Sequence, residues 1–310
     1  MTDGFVFPGQ GSQSIGMCDV LSDFSPVIKT TFEEASDALG KDLWKLVTEG
    51  PEGSLNKTEN TQPAMLTAGV ATWRLWQELK GSAPALMAGH SLGEYSALVC
   101  AEAITLEDAV CLVSDRGHFM QEAVAEGEGA MAAILGLDDD AVKLACEEAA
   151  KGDIVEAVNF NAPGQVVIAG SSEAVQRTTE AAKAAGAKRA LVLPVSVPSH
   201  CALMIGAAEQ LAERLADITV HTPKIPVINN VDVTTEEDAE DIKSALVRQL
   251  HNPVRWVETV QFMISHDVTR MFECGPGKVL TGLSKRIDKS VPTIALINEE
   301  SITAAIENSE

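Results

Sequence analysis

Short apolar runs that stop at glycine or proline alternate along this chain with stretches whose apolar residues recur every three to four positions. Gly4-Phe5-Val6-Phe7 predicts a strand ended by Pro8 and followed by the loop Gly9-Gln10-Gly11-Ser12-Gln13. Ala64 to Leu79 predicts a long helix, and strands and helices are expected to alternate to about residue 125 around a largely parallel sheet. The middle of the chain has a different rhythm. Ala130 to Leu135 reads as a strand, Asp138 to Ala150 as a helix, Ile154 to Phe160 and Gln165 to Gly170 as two strands joined by Asn161-Ala162-Pro163-Gly164. Glu173 to Ala185 then reads as a helix closed by Gly186, and Arg189 to Val197 as a last strand. The order β-α-β-β-α-β is the ferredoxin-like motif. It predicts an α/β protein with a small insert at 128–197 and a discontinuous main domain, 1–127 and 198–310. Beyond the insert, Leu203 to Ala216 and Ile242 to Leu250 read as helices, Ile225 to Asn229 and Thr269 to Cys274 as strands.

One strand-to-helix junction carries chemistry. An apolar run at Ala85-Leu86-Met87-Ala88 leads into Gly89-His90-Ser91-Leu92-Gly93, and a helix-like stretch follows. This is the G-x-S-x-G nucleophile elbow, in which flanking glycines let a serine stand clear on a strained turn. Its hydroxyl then lies at a helix N-terminus, where backbone N–H groups favour developing negative charge.

A serine nucleophile needs a base, and six histidines are candidates. His90 is expected to pack away from its neighbour Ser91. His118, His221 and His266 lie in polar surroundings, and His251 precedes a helix stop. His200 follows an apolar strand and Pro198-Ser199 where the chain re-enters the core, so position favours it as base, with a structural role as the alternative. On the helix predicted from Thr105 to Val124, begun by the capping-box-like Thr105-Leu106-Glu107-Asp108, Arg116 is the only charge inside the apolar arc. A buried guanidinium needs an anion. Either an internal carboxylate supplies it, or a substrate carboxylate does. The Gly9-Gln10-Gly11 loop lacks the third glycine of a dinucleotide fingerprint; it offers backbone N–H groups to an oxyanion instead.

Composition narrows the partners. A net charge of −22 argues against nucleic acid and anionic membrane. The ten residues from Asp232 to Asp241, with six carboxylates and no cation, read as a solvated loop or helix entrance. No apolar run is long enough to span a bilayer, and the N-terminus does not read as a secretory signal. Six cysteines without a C-x-x-C pair read as buried thiols in a reducing compartment, the cytoplasm, with no metal site.

Taken together, Phe7-Pro8-Gly9-Gln10-Gly11-Ser12-Gln13, Thr61-Gln62-Pro63-Ala64, Gly89-His90-Ser91-Leu92-Gly93-Glu94, Arg116-Gly117, Pro198-Ser199-His200 and Gly275-Pro276-Gly277-Lys278-Val279-Leu280 resemble the bacterial malonyl-CoA:acyl carrier protein transacylases, essentially end to end. The resemblance implies a hydrolase-like α/β core with a ferredoxin-like subdomain. It also implies Ser91 as acyl-carrying nucleophile and His200 as general base. Gln10 and Leu92 would be the oxyanion N–H donors, Arg116 the partner of the malonyl carboxylate, and Gln249 the residue whose backbone carbonyl orients the histidine. The implied substrates are malonyl-CoA and acyl carrier protein, with no cofactor, and a monomer supplying fatty acid synthesis is expected. Three other readings share features: a serine thioesterase or lipase, a non-catalytic carrier-binding module, and an acyltransferase of polyketide synthesis. Because acyl carrier proteins are acidic, a basic patch near the pocket is expected among Lys188, Arg189, Lys278, Lys285, Arg286 and Lys289.

Overall fold

In a computed structural model describing residues 2–195 and 197–307, two sheets divide the chain. The first has the order β7-β2-β1-β8-β9, with β1 (Asp3–Phe7) at its centre and every pairing parallel. β2 (Leu86–Gly89) and β7 (Val227–Ile228) lie on one side of β1, β8 (Arg270–Glu273) and β9 (Thr293–Ala295) on the other. Strand order therefore reverses at β1, and the loops after β1 and β2 open side by side at the carboxyl ends of adjacent strands. That crevice is where open α/β sheets place their ligands.

The expected strand–helix alternation up to residue 125 is corrected by the structure. Between β1 and β2 the chain forms only helices: α1 (Asp19–Phe24), α2 (Val27–Leu39), α3 (Leu43–Glu49), α4 (Glu52–Leu55) and α5 (Thr58–Glu78). α5 is almost wholly buried from Thr58 to Trp73. It begins six residues before the expected Ala64, because Pro63 sits within its second turn instead of marking its start. The proline removes the N–H that would reach the Glu59 carbonyl, and Ser114 Oγ approaches that oxygen at 3.5 Å. The extra turn carries Thr58 and Gln62 toward the β1 and β2 loops.

After β2 come α6 (Gly93–Cys100) and α7 (Leu106–Glu122). Thr105 caps α7 by accepting from the Asp108 backbone N–H at 3.1 Å, as its capping pattern predicts. The second sheet is antiparallel, in the order β4-β5-β3-β6, built from β3 (Gly129–Leu135), β4 (Val155–Ala162), β5 (Gln165–Ser171) and β6 (Arg189–Val192). With α8 (Asp139–Ala150) and α9 (Ser172–Ala184) on one face, it has the ferredoxin-like arrangement. The last strand is shorter than the expected 189–197: β6 stops at Val192 before Pro194, while Ser196 lies outside the described residues. β4 is joined to the first unit through Val254, whose N–H donates to Val158 and whose carbonyl accepts from Phe160.

The chain returns through α10 (Ile205–Ala216), α11 (Ala239–Gln249), α12 (Trp256–Ser265), α13 (Val279–Ile287) and α14 (Glu299–Glu307). In the acidic stretch 232–241, Asp232 pairs with Arg248 and Asp238 caps α11, so the stretch is a loop running into a helix entrance, and both readings expected of it apply. All six cysteines are free thiols.

Candidate active site

The elbow after β2 is as tight as its glycines imply. A Cβ placed on Gly89 would come within 1.8 Å of the Gly93 carbonyl carbon, and one on Gly93 within 2.0 Å of the Phe7 carbonyl oxygen. Strand, turn and helix can close up this far only with bare backbone at both positions. Ser91 itself takes φ +51°, a strained left-handed conformation for a residue with a side chain.

That turn aims the Ser91 hydroxyl at His200. His200 Nε2 lies 2.8 Å from Ser91 Oγ, and Nδ1 lies 2.7 Å from the backbone carbonyl of Gln249 at the end of α11. A carbonyl can only accept, so Nδ1 carries the proton and Nε2 presents its lone pair to the serine. His200 is 2% exposed. Burial, and then the nearby Arg116 charge, lower its pKa to about 3, so at neutral pH it is an uncharged base.

Arg116 of α7 enters from the other side and is 1% exposed. Its Nη1 donates to Gln62 Oε1 at 2.7 Å and its Nη2 to Gln249 Oε1 at 3.0 Å; a weaker contact of 3.3 Å joins Nη2 to Ser91 Oγ. The guanidinium also lies 5.3 Å from the centre of the Tyr95 ring. Among the described residues no carboxylate comes within ion-pair distance of it, so the internal-partner alternative finds no direct counter-ion. Two neutral amides hold the fork open toward the cleft.

Gln10 and Leu92 line the same cleft, of about 110 Å³, with Met120, Met131, Leu193 and Val195 as apolar walls. In the elbow, the Ser91 N–H is taken by Asn230 Oδ1 and the Gly93 N–H by the His90 carbonyl. The Leu92 N–H and the Gln10 N–H have no partner among the described residues. Five of the six residues singled out beforehand thus line one cavity, drawn from the loops after β1 and β2, from α7 and from the segment after β6, while Gln249 of α11 bonds Arg116, His200 and Ser91 without lining it. His90 is not the base: its Nε2 is held 2.7 Å from Asn161 Oδ1 on β4. His118 pairs with Glu122, and His266 stacks on Phe262, both away from the cleft.

Sequence reasoning missed three members. Gln62 appeared only inside a motif, without a role. Asn230 lies in a loop with no pattern to mark it. Glu94 is a buried carboxyl in an apolar helix, the same signal that exposed Arg116. It accepts from Gln249 Nε2 at 2.8 Å and from the Asn230 N–H at 2.9 Å, and burial pushes its pKa up to about 7. Among the described residues, no group of side chains is arranged to hold a metal ion.

The arrangement can deprotonate a serine, accept an oxyanion and hold a carboxylate a short distance away. Comparison with known proteins gives the same class of chemistry. Residues 4–291 match the acyl transferase domain family. The chain is 60% identical over 303 residues to the malonyl CoA-acyl carrier protein transacylase of Escherichia coli K12, covering 98% of each chain. It is 46% identical to that of Bacillus subtilis, covering 98% of this chain and 96% of the relative. Among solved structures, a malonyl-transacylase in complex with a type II PKS acyl-carrier protein superposes with a TM-score of 0.98 at 58% identity, covering 99% and 100% of the two chains. The transacylase of Coxiella burnetii gives a TM-score of 0.98 at 50% identity, covering 99% and 97%. With its elbow, its imidazole and its held guanidinium arranged in that fold, this chain belongs to the malonyl CoA-acyl carrier protein transacylases of the acyl transferase family.

Proposed function

We propose that Ser91 carries the malonyl group as an ester while the enzyme moves it from coenzyme A to the phosphopantetheine thiol of acyl carrier protein. The observation that carries this reading is one hydroxyl within hydrogen-bond distance of both the His200 imidazole and the Arg116 guanidinium. His200 Nε2 takes the hydroxyl proton as Oγ adds to the thioester carbon. The carbonyl oxygen becomes an oxyanion on the N–H groups of Gln10 and Leu92. Collapse breaks the carbon–sulfur bond, and the same imidazole returns the proton to sulfur as coenzyme A leaves. The carrier thiol then enters, and the steps run in reverse. One thioester is exchanged for another, so the proton and bond counts balance without a cofactor. Arg116 pairs with the free carboxylate, with Gln62 and Gln249 fixing the plane of its fork.

The carrier side of the reading rests on cation placement. Gln165, Leu135 and Arg189 lie in one row across β5, β3 and β6, and Arg286 of α13 bonds Gln165 Oε1. Lys188 adjoins Gly136 at the same end of the sheet. Leu193, four residues beyond Arg189, lines the cleft, so Arg189 stands roughly 13 Å along the chain from it. They can steer an acidic carrier toward an enzyme whose overall charge repels it. The chain acts in this reading as a cytoplasmic monomer supplying fatty acid synthesis, and no described helix is long and apolar enough to cross a membrane.

Mixing the enzyme with malonyl-CoA alone should release one equivalent of coenzyme A and leave one malonyl group on Ser91, and release should continue only when holo-carrier is added. Steady release without carrier would make it a hydrolase. The relative solved with a type II PKS carrier favours a second carrier class, and the same assay with each carrier type separates the two.

The pH profile follows from the base. An unshifted histidine, with a pKa of about 6.5, would be roughly nine-tenths protonated at about pH 5.5 and slow acylation about tenfold. His200, lowered to about 3, stays neutral there, so acylation at about pH 5.5 should lie within about threefold of that at about pH 7.5. A tenfold fall across that interval would show that the imidazole is not held in its uncharged form. The same shift makes folding more stable as pH rises from about 3 toward about 6.5, because the unfolded chain binds the extra proton there.

A further inference from the structure

The most heavily tied carboxylate near the site is one that the acyl-transfer steps do not use. Glu94 stands in the first turn of α6, 2% exposed, among the buried Tyr95, Ala97 and Leu98. An acid in a helix's first turn commonly serves that helix's own N–H groups. Glu94 instead reaches two other segments through a single atom: Oε2 accepts from the Asn230 backbone N–H at 2.9 Å and from Gln249 Nε2 at 2.8 Å. Those two residues hold the nucleophile by its backbone. Asn230 Oδ1 accepts from the Ser91 N–H at 2.7 Å, and its Nδ2 donates to the Gly89 carbonyl at 2.6 Å. Gln249 Nε2 also donates to the Ser91 carbonyl at 3.1 Å. Gln249 in turn fixes Arg116 through its side chain and His200 through its backbone.

We infer that Glu94 is the positioning residue of this site, clamping the strained Ser91 from both backbone sides through Asn230 and Gln249. A left-handed serine persists only where its surroundings over-determine it, and here one oxygen coordinates both of its holders. The clamp works in either protonation state, since a neutral carboxyl keeps an oxygen lone pair to accept. A buried carboxyl is expensive and is retained where its hydrogen bonds are needed. The inference rests on the acyl-transfer reading and says how that chemistry is held in register.

The test is single-turnover release of coenzyme A from acetyl-CoA and from malonyl-CoA by wild type, Glu94→Ala, Glu94→Asp and Glu94→Gln, alongside thermal melting. Misplacing a nucleophile by an ångström costs on the order of 10²-fold, so Glu94→Ala should lose about that factor with both substrates, with half-saturating concentrations within about threefold of wild type. Glu94→Gln retains an oxygen that can accept from both donors and should recover to within about fivefold of wild type. Glu94→Ala that melts like wild type and acylates from acetyl-CoA within about threefold of it overturns the inference. So does Glu94→Gln as slow as Glu94→Ala. Where Glu94→Ala does not fold, Glu94→Asp decides: its carboxylate is drawn back by one methylene, and a loss of at least about tenfold is expected, whereas a loss under about threefold rejects the role. Wild type that releases no coenzyme A would sink the acyl-transfer reading instead, so the two failures are distinct.

Discussion

Ser91→Ala should abolish covalent malonylation and lower exchange by at least about 10⁴-fold, the scale on which losing a nucleophile matters when base and oxyanion donors remain. The size of the effect follows from how little else in the cleft can take the acyl group. His200 has one nitrogen committed to the Gln249 carbonyl, and the cysteine that follows it, Cys201, is buried with its thiol pushed up to about 12. The measurement is intact-protein mass spectrometry after incubation with malonyl-CoA, read against wild type. A malonyl adduct that persists in Ser91→Ala at full yield would move the nucleophile elsewhere. The variant should fold, because the left-handed turn is held through backbone N–H and C=O groups that alanine retains.

Arg116→Ala should separate malonyl from acetyl. A charge-assisted contact to a carboxylate contributes about 1.5–3 kcal/mol, or about 10- to 150-fold, and acetyl has no carboxylate to lose. Malonyl transfer should therefore fall by that factor beyond whatever acetyl transfer loses. Equal losses would mean that the arginine only supports the cleft. Some shared loss is expected, since removing the guanidinium leaves Gln62 Oε1 and Gln249 Oε1 without their donor inside a buried site. The variant carries a second signature of opposite origin. Arg116 is one of the causes that depress His200, so its removal should raise the proton affinity of the imidazole and move the acid limb of acylation upward in pH. A structural role alone would not move that limb.

The elements most readable beforehand were those whose local signals agree with their surroundings. Thr105 capping α7 and the glycine-flanked Ser91 are decided within a few residues of chain, and each stands where its pattern put it. Of the helical run between β1 and β2 only α5 was readable, and its start was misplaced because Pro63 looks like a helix start although it lies inside α5; α1, α3 and α4 are too short to show a period. The end of β6 was overestimated because apolar residues continue past Val192, and there they line the cleft instead of pairing. Gln249 came only through resemblance. A glutamine whose backbone carbonyl orients a histidine 49 residues away leaves no periodicity and no spacing to find.

By itself the sequence determined a serine that must stand on a sharp turn, a cation stranded on an apolar helical face, and one β-α-β-β-α-β unit in the middle of the chain. These are short-range consequences of side-chain size, charge and hydrophobic period. Only the tertiary structure decided the partners. It joined α5, α6, α7, α11 and the Asn230 loop into one buried set of hydrogen bonds, and it made a neutral base of His200. It also left Arg116 held by two amides with no carboxylate in ion-pair range among the described residues. Burial and distance between segments remote in sequence control both outcomes, and neither quantity exists until the chain has packed.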